Sequence, residues 1–337
     1  MAMTMEWVKE QFGDVEPMSI ELAVPNELCK ILYSDEYRVL LGLCRRLMSE
    51  NELSERALLL TAKVINLAPA FYTVWNYRYN IIKSRISGGE GEGDGDGKLG
   101  DDAALLDKEL DWLDEVTLGN PKNYQIWSYR QALLKLHPAP SFKREMPIIQ
   151  LMIDEDTKNY HVWSYRKWCV LFFRDFNHEI AFTDLMIRRD IYNNSAWTHR
   201  MFVWQHTTPS STQIISEIDN YLRTKIELAP QNISCWTYLR GLYELFLREN
   251  YDPSIIRFAE SFVDGVLETS TSSKEEEEEQ KDVPDNIESS YALEFLAHVY
   301  SRESSKKERA IRAYKLLADK YDPIRSKLWQ HKLAQLN

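Results

Sequence analysis

Two short stretches of the chain combine a cation, an amide, an aromatic ring and a further hydrogen-bonding side chain in four consecutive residues: Lys122-Asn123-Tyr124-Gln125 and Lys158-Asn159-Tyr160-His161. Asn123 reads as a helix N-cap, whose side-chain oxygen takes up one of the N–H groups that a helix start leaves unpaired. Such a start already favours anions through its free N–H groups and its dipole, and a lysine beside it adds a full charge. The chemistry open to these eight residues is the binding of a phosphate or a carboxylate. From the residues alone a second reading stays open, in which Lys122 and Lys158 are ordinary solvated residues in front of a cap.

Both stretches belong to a larger pattern of an aromatic, two variable residues, Trp, two variable residues and Arg. It runs from Tyr72 through Trp75 to Arg78, from Tyr124 through Trp127 to Arg130, and from Tyr160 through Trp163 to Arg166. A fourth copy around Trp197 and Arg200 has Asn194 in place of the aromatic. A fifth around Trp236 has Leu239 where Arg is expected, and the Trp329 segment reads as a degenerate terminal copy. The repeat tryptophans Trp75, Trp127, Trp163, Trp197 and Trp236 are 52, 36, 34 and 39 residues apart, and setting aside the 15 residues of 88–102 brings the first step to 37. The period is therefore nearly constant, and the acidic, Gly-rich run 88–102 is expected to be a loop inserted into the first repeat. Its Asp94-Gly95-Asp96-Gly97 resembles part of a calcium loop, but the remaining ligands and the closing Glu are missing, so a solvated loop is expected.

Each repeat reads as two helices. Leu106, Leu110 and Leu113 fall on one helical face, and that helix is expected to stop near Gly119-Asn120-Pro121. Tyr124, Trp127, Arg130 and Leu134 then fall at three- or four-residue spacing on one face of the next helix. One such hairpin cannot hide its Trp and Leu face, whereas stacked hairpins bury a continuous core, which predicts an all-α, right-handed α-α superhelix. Tetratricopeptide repeats have a similar period, but their Trp-x-x-Leu-Gly and Ala/Phe/Pro signatures do not occur here. The repeated Trp and Arg read as structural, Trp filling the seam between helices and Arg pairing with a carboxylate of the neighbouring hairpin. The expected repeat cores lie near 72–82, 124–134, 160–170, 194–204 and 232–242, within one domain spanning 1–337.

Composition narrows the function. A formal net charge of -11 argues against a general nucleic-acid surface, although much of the acidity sits in 88–102 and a second acidic run, 274–285, also expected to be a loop. Four scattered cysteines and seven histidines form neither a CxxC pair nor an HxxxH pair, so no metal held by this chain is expected and a reducing, cytoplasmic compartment fits. No stretch approaches the ~20 apolar residues of a membrane span, and the N-terminus lacks the features of a signal peptide. An inner face lined with aromatics would be a large apolar patch, which calls for a partner.

The repeated Asn-Tyr-x-x-Trp-x-x-Arg unit, with Tyr33-Ser34-Asp35-Glu36-Tyr37 and Ser54-Glu55-Arg56-Ala57 ahead of it, resembles the α subunits of protein prenyltransferases. The resemblance implies a crescent of helical hairpins wrapped around a β subunit that holds a catalytic zinc. In that family, Lys-Asn-Tyr-Gln in the second repeat and Lys-Asn-Tyr-His in the third mark the subunit shared by protein farnesyltransferase and geranylgeranyltransferase type I. The α subunit of Rab geranylgeranyltransferase is the alternative, and a non-enzymatic solenoid scaffold is an alternative of another class.

The resemblance further implies transfer of a farnesyl or geranylgeranyl group from its diphosphate to a cysteine in a C-terminal CaaX sequence. Lys122 would approach the isoprenoid diphosphate and act in catalysis, with Tyr124, Tyr160 and His161 around the same group. Gln125 would bind the carboxylate of the substrate peptide, and Asn159, Trp163 and Arg130 would hold these groups in place. Magnesium is expected with the diphosphate. Pocket depth, and with it farnesyl or geranylgeranyl specificity, would be set mainly by the β subunit.

Overall fold

In the computed structural model, which describes residues 2–20, 29, 31–87, 95–267 and 286–336, the repeat resolves into paired helices, and no strand occurs among the described residues. The chain divides into two compact units. The first, Met1–Arg174, holds α1 (Ala2–Phe12), α2 (Asp35–Ser49), α3 (Glu55–Leu67), α4 (Tyr72–Ser87), α5 (Gly95–Gly119), α6 (Tyr124–Leu136), α7 (Phe142–Glu155) and α8 (Tyr160–Phe173). Here α3 packs on α4, α5 on α6 and α7 on α8, while α4, α6 and α8 also touch one another in sequence. The hairpins are therefore stacked through their second helices, which carry the Trp and Arg.

The second unit, Asp175–Asn337, holds α9 (Glu179–Arg189), α10 (Asn194–Thr207), α11 (Ser211–Ser216), α12 (Arg223–Leu228), α13 (Ile233–Phe246), α14 (Pro253–Glu260), α15 (Ser290–Tyr300), α16 (Lys307–Leu316) and α17 (Ser326–Leu336). A wider, π-type stretch, Glu217–Leu222, joins α11 to α12. Within this unit α9 pairs with α10, α10 with α13, and α13 with α15.

Three side-chain rules repeat and explain why these residues fold as they do. The second helix of a hairpin opens on an Asn whose Oδ1 accepts the backbone N–H two residues on: 2.8 Å for Asn123, 3.0 Å for Asn159, 3.1 Å for Asn193 and 3.0 Å for Asn232. Four residues later the Trp is buried, and its indole N–H donates to the carbonyl six residues back. The distances are 2.8 Å from Trp75 to Pro69, 3.1 Å from Trp127 to Pro121, 2.9 Å from Trp163 to Thr157, and 2.8 Å both from Trp197 to Ile191 and from Trp236 to Pro230. Each bond closes the turn that leads into the helix and pairs the indole N–H of that repeat Trp, for a net gain of about 1 kcal/mol.

The third rule joins hairpins. Glu109 takes both Nε (2.6 Å) and Nη2 (2.7 Å) of Arg78 from the preceding repeat and the hydroxyl of Tyr129 (2.7 Å) from its own. Glu145 receives Nε of Arg130 and the hydroxyl of Tyr165, and Glu217 receives Nε and Nη2 of Arg200 and the hydroxyl of Tyr238. All of these side chains are buried, so each charge is compensated where it sits. The structural reading of Trp and Arg thus holds, and the carboxylates it required are now named.

Two details differ from expectation. Of the acidic run 88–102, residues 95–102 are helical and not a loop; they form the start of α5, which is 25 residues long where α7 has 14. The strong helix formers Ala103 and Ala104 directly behind this stretch favour the helix. Residues 88–94 and the run 274–285 lie outside the described residues. Tyr124 does not share the buried face of Trp127, Arg130 and Leu134: it is 61% exposed. As the first residue of its helix it has no preceding turn to cover it, and Tyr72 and Tyr160 at equivalent positions are exposed in the same way.

The sequence pattern also passed over a hairpin. Ser289 caps α15, and its hydroxyl donates to the Pro230 carbonyl at 2.6 Å, the same carbonyl that takes Trp236. Leu293 stands four residues after that cap, where the other repeats have Trp, so a search for aromatics cannot find it. Trp329 is buried, but its N–H goes to the Asp322 carboxylate at 2.9 Å and not to a backbone carbonyl, which makes its segment a departure from the repeat geometry.

Candidate functional site

Lys122 lies in the turn between α5 and α6. Its Nζ is 2.9 Å from Oδ2 of Asp156, the residue that ends α7, and the side chain is 69% exposed. Oδ1 of Asp156 accepts the backbone N–H of Lys158 at 3.0 Å. The bond from Lys122, followed by that backbone N–H, holds the Asp156 carboxyl below its ordinary range, so it is ionised near neutral pH. The turns ahead of α6 and α8 are therefore tied together by one carboxylate.

Beside this pair the Tyr124 ring stands edge-on to His161, with centroids 4.6 Å apart, and Tyr160 flanks His161 at 5.8 Å. Partial burial, and then the charge of Lys122, push the His161 imidazole below its ordinary pKa. It is neutral near pH 7, with one nitrogen to donate and one to accept. Lys122, Tyr124, Asn159, Tyr160 and His161 thus meet at the adjacent starts of α6 and α8, an arrangement of one ammonium, two phenols and one imidazole suited to a polyanion.

Gln125 points elsewhere. It lines a groove of about 510 Å³ between α4 and α6, together with Tyr72, Asn76, Tyr79, Ser128 and Lys135. A half-buried amide in that groove can donate to a carboxylate. Asn159, Trp163 and Arg130 lie behind the surface residues. Asn159 caps α8 and donates from Nδ2 to the Pro121 carbonyl at 3.3 Å, next to Lys122. Trp163 anchors the same cap turn, and Arg130 is wholly buried between Asp114 and Glu145. The larger cavity of about 660 Å³ lies in the second unit around Tyr243 and Tyr251, and none of the residues picked from the sequence lines it.

The reading of the sequence missed Asp156. The signal available was its place two residues before Lys158, where a carboxylate can close a turn on its own chain. Among the described residues no three His, Cys, Asp or Glu side chains come together as metal ligands. Burial pushes the Cys44 and Cys235 thiols up to about 12, so neither is a thiolate at neutral pH. No helix among the described residues is long and apolar enough to cross a membrane.

These hairpins match known proteins. Residues 54–85, 106–137, 142–173 and 176–207 each match the protein prenyltransferase alpha subunit repeat. Each match takes in one hairpin of the fold above. The chain belongs to the protein prenyltransferase α subunit family. It is 39% identical to the protein farnesyltransferase/geranylgeranyltransferase type-1 subunit alpha of Candida albicans, over 97% of this chain and 98% of that one, and 28% identical to the Dictyostelium discoideum protein so named, over 96% and 92%.

The structure of Candida albicans protein geranylgeranyltransferase-I complexed with GGPP superposes with a TM-score of 0.78 at 35% identity, covering 97% of this chain and 98% of that chain. By contrast, the geranylgeranyl transferase type-2 subunit alpha of Rattus norvegicus is 30% identical over only 31% of this chain and 17% of its own length. Within the family, then, this is an α subunit of the farnesyltransferase and geranylgeranyltransferase type-1 kind, part of an enzyme and not a bare scaffold.

Proposed function

We propose that this chain pairs with a β subunit as an obligate heterodimer in the cytoplasm. The pair moves a farnesyl or geranylgeranyl group from its diphosphate to the thiol of a C-terminal CaaX cysteine. The observation that carries the reading is the convergence of Lys122, Tyr124, Tyr160 and His161 at two adjacent helix starts, in a chain whose full-length relatives are named for this activity. In the reaction a sulfur–carbon bond forms at the first carbon of the isoprenoid, the carbon–oxygen bond breaks, and the electron pair leaves with the diphosphate.

As that bond stretches, negative charge grows on the leaving oxygens. The Lys122 ammonium has three donors and only one is engaged by Asp156, so two remain for the diphosphate. The Tyr124 and Tyr160 hydroxyls and the neutral His161 supply further donors, and none of the three is itself an anion. An ammonium aimed at growing charge stabilises the transition state more than the ground state, so its loss falls mainly on turnover. Removing it costs roughly 2 to 4 kcal/mol. Gln125, the second residue of α6, is the donor for the carboxylate of the CaaX peptide.

Zinc would supply the activated thiolate, and in this reading it is held by the β subunit; the described residues of this chain offer it no ligand set, and no step here runs through it. Magnesium would accompany the diphosphate. The test is co-expression with farnesyltransferase and geranylgeranyltransferase type-I β subunits, followed by transfer of labelled farnesyl or geranylgeranyl to a CaaX peptide. Transfer that needs both chains is the expected result; a stable lone chain, with no transfer in either pairing, would overturn the reading.

A further inference from the structure

We infer that Asp156 is a positioning residue for the prenyl-transfer step: it holds the Lys122 ammonium at the start of α8, facing the place of the diphosphate, before substrate arrives. The inference rests on the diphosphate reading of Lys122. Lys122 projects from a turn on a flexible four-carbon stem, and left to itself the ammonium would sample many rotamers. One bond of 2.9 Å to Oδ2 of Asp156 limits that freedom.

Asp156 is itself fixed. Its backbone N–H closes the last turn of α7 on the Met152 carbonyl at 3.1 Å, its carbonyl accepts Asn159 N–H at 3.0 Å, and Oδ1 accepts Lys158 N–H. The two carboxylate oxygens therefore have separate tasks. Oδ1 closes a turn, as Oδ1 of Asp190 does for the N–H of Tyr192 in the next repeat at 2.9 Å. Oδ2 reaches across to the preceding repeat and touches the site. The pair is too exposed to matter much to the fold, with side-chain exposures of 69% and 39%, so a structural purpose accounts for Oδ1 and leaves Oδ2 to function.

Asp156→Asn separates the tasks, because the amide oxygen still closes the turn while the charge facing Lys122 is gone. The measurement is the single-turnover rate of transfer, with the dissociation constant of the isoprenoid diphosphate, for the heterodimer carrying Asp156→Asn, Asp156→Glu, Lys122→Ala and the Asn–Ala double variant. Asp156→Asn is expected to slow transfer about tenfold with diphosphate affinity changed less than about threefold, and Asp156→Glu to recover most of the rate.

In the Lys122→Ala background the Asn substitution is expected to add less than about twofold, since the group it positions is absent. An Asp156→Asn rate equal to or above the parent's, beside a slow Lys122→Ala, would overturn the positioning role and leave the Lys122 reading standing. A slowing of the same size in both backgrounds would make Asp156 merely structural. An unchanged rate for Lys122→Ala would remove both.

Discussion

The Glu145 carboxylate lies 2.5 Å from Nε of Arg130, and solvent reaches neither side chain. Arg130 also reaches Asp114 at 2.5 Å, and the hydroxyl of Tyr165, whose proton is held firmly by burial, donates to the same Glu145 oxygen at 2.7 Å. The group joins α5, α6, α7 and α8, which is why it matters to the first unit as a whole. Nη2 of Arg130 finds no hydrogen-bond partner, so the guanidinium has no reserve of donors already satisfied.

Glu145→Ala is therefore expected to destabilise the first unit by about 3 to 5 kcal/mol, because it leaves a buried guanidinium with Asp114 alone and a buried phenol with no acceptor. Glu145→Gln, which keeps an acceptor for Tyr165, should cost less. Chemical denaturation followed by tryptophan fluorescence would measure both. A loss below about 1 kcal/mol for the alanine variant would mean that Asp114 compensates Arg130 unaided.

The tryptophan bonds carry a separate expectation. Trp163→Phe keeps an aromatic in the seam but removes the N–H that holds the Thr157 carbonyl at 2.9 Å. A loss of about 1 to 3 kcal/mol follows from an unpaired carbonyl and a smaller ring. Because the Thr157 turn lies between Asp156 and Lys158, transfer by the heterodimer should also slow, while Trp236→Phe, far along the chain, should cost similar stability and leave the single-turnover rate unchanged. Equal kinetic effects from both would place the consequence in folding alone.

Helix pairing was legible in the sequence because Trp and Arg recur with nearly fixed spacing and because the Asn before α6, α8, α10 and α13 is a local signal. The partner carboxylates were legible in kind but not by name. Yet Glu109 and Glu145 stand 18 residues, and Glu217 19 residues, before a repeat Trp, a spacing that could have named them. The hairpin opened by Ser289 was not legible, since Leu293 replaces the Trp that made the others visible. In the site, Lys122, Tyr124 and His161 were found because they sit at helix starts. Asp156 was not, because its role depends on two turns meeting across 34 residues of chain, which no local pattern reports.

His298 in α15 gives the second unit a pH dependence. Burial, then the charges of Arg302, Arg240 and Lys332, lower its pKa to about 4. Glu244 lies 3.5 Å from Nε2, but Arg302 donates to that nitrogen at 3.3 Å, so the ring is a neutral acceptor and the Glu244 contact is no ion pair at neutral pH. Unfolding restores a pKa near 6.5, so between about 6.5 and about 4 the unfolded chain binds the extra proton. Stability from this group is fully present above about pH 6.5, falls as pH drops through that window, and is constant below it. The difference in thermal midpoint between the parent and His298→Asn should therefore shrink from pH 7 to pH 4.5. A difference independent of pH would mean that His298 is not held neutral.

The last expectation links fold to chemistry through Asn159. Its Oδ1 caps α8 by accepting His161 N–H, and its Nδ2 donates to the Pro121 carbonyl, one residue from Lys122. Asn159→Asp keeps a good N-cap but turns a carboxylate oxygen toward that carbonyl, so α8 should remain capped while the turn carrying Lys122 is pushed away. Asn159→Ala loses both bonds and is expected to cost about 1 to 2 kcal/mol of stability. If the Pro121 bond is what places Lys122, Asn159→Asp should slow transfer in the heterodimer about as much as Asn159→Ala while costing less stability. Should the aspartate variant transfer at the parent rate, the cap alone would account for Asn159, and the backbone at Lys122 would be held by the Trp127 bond to Pro121.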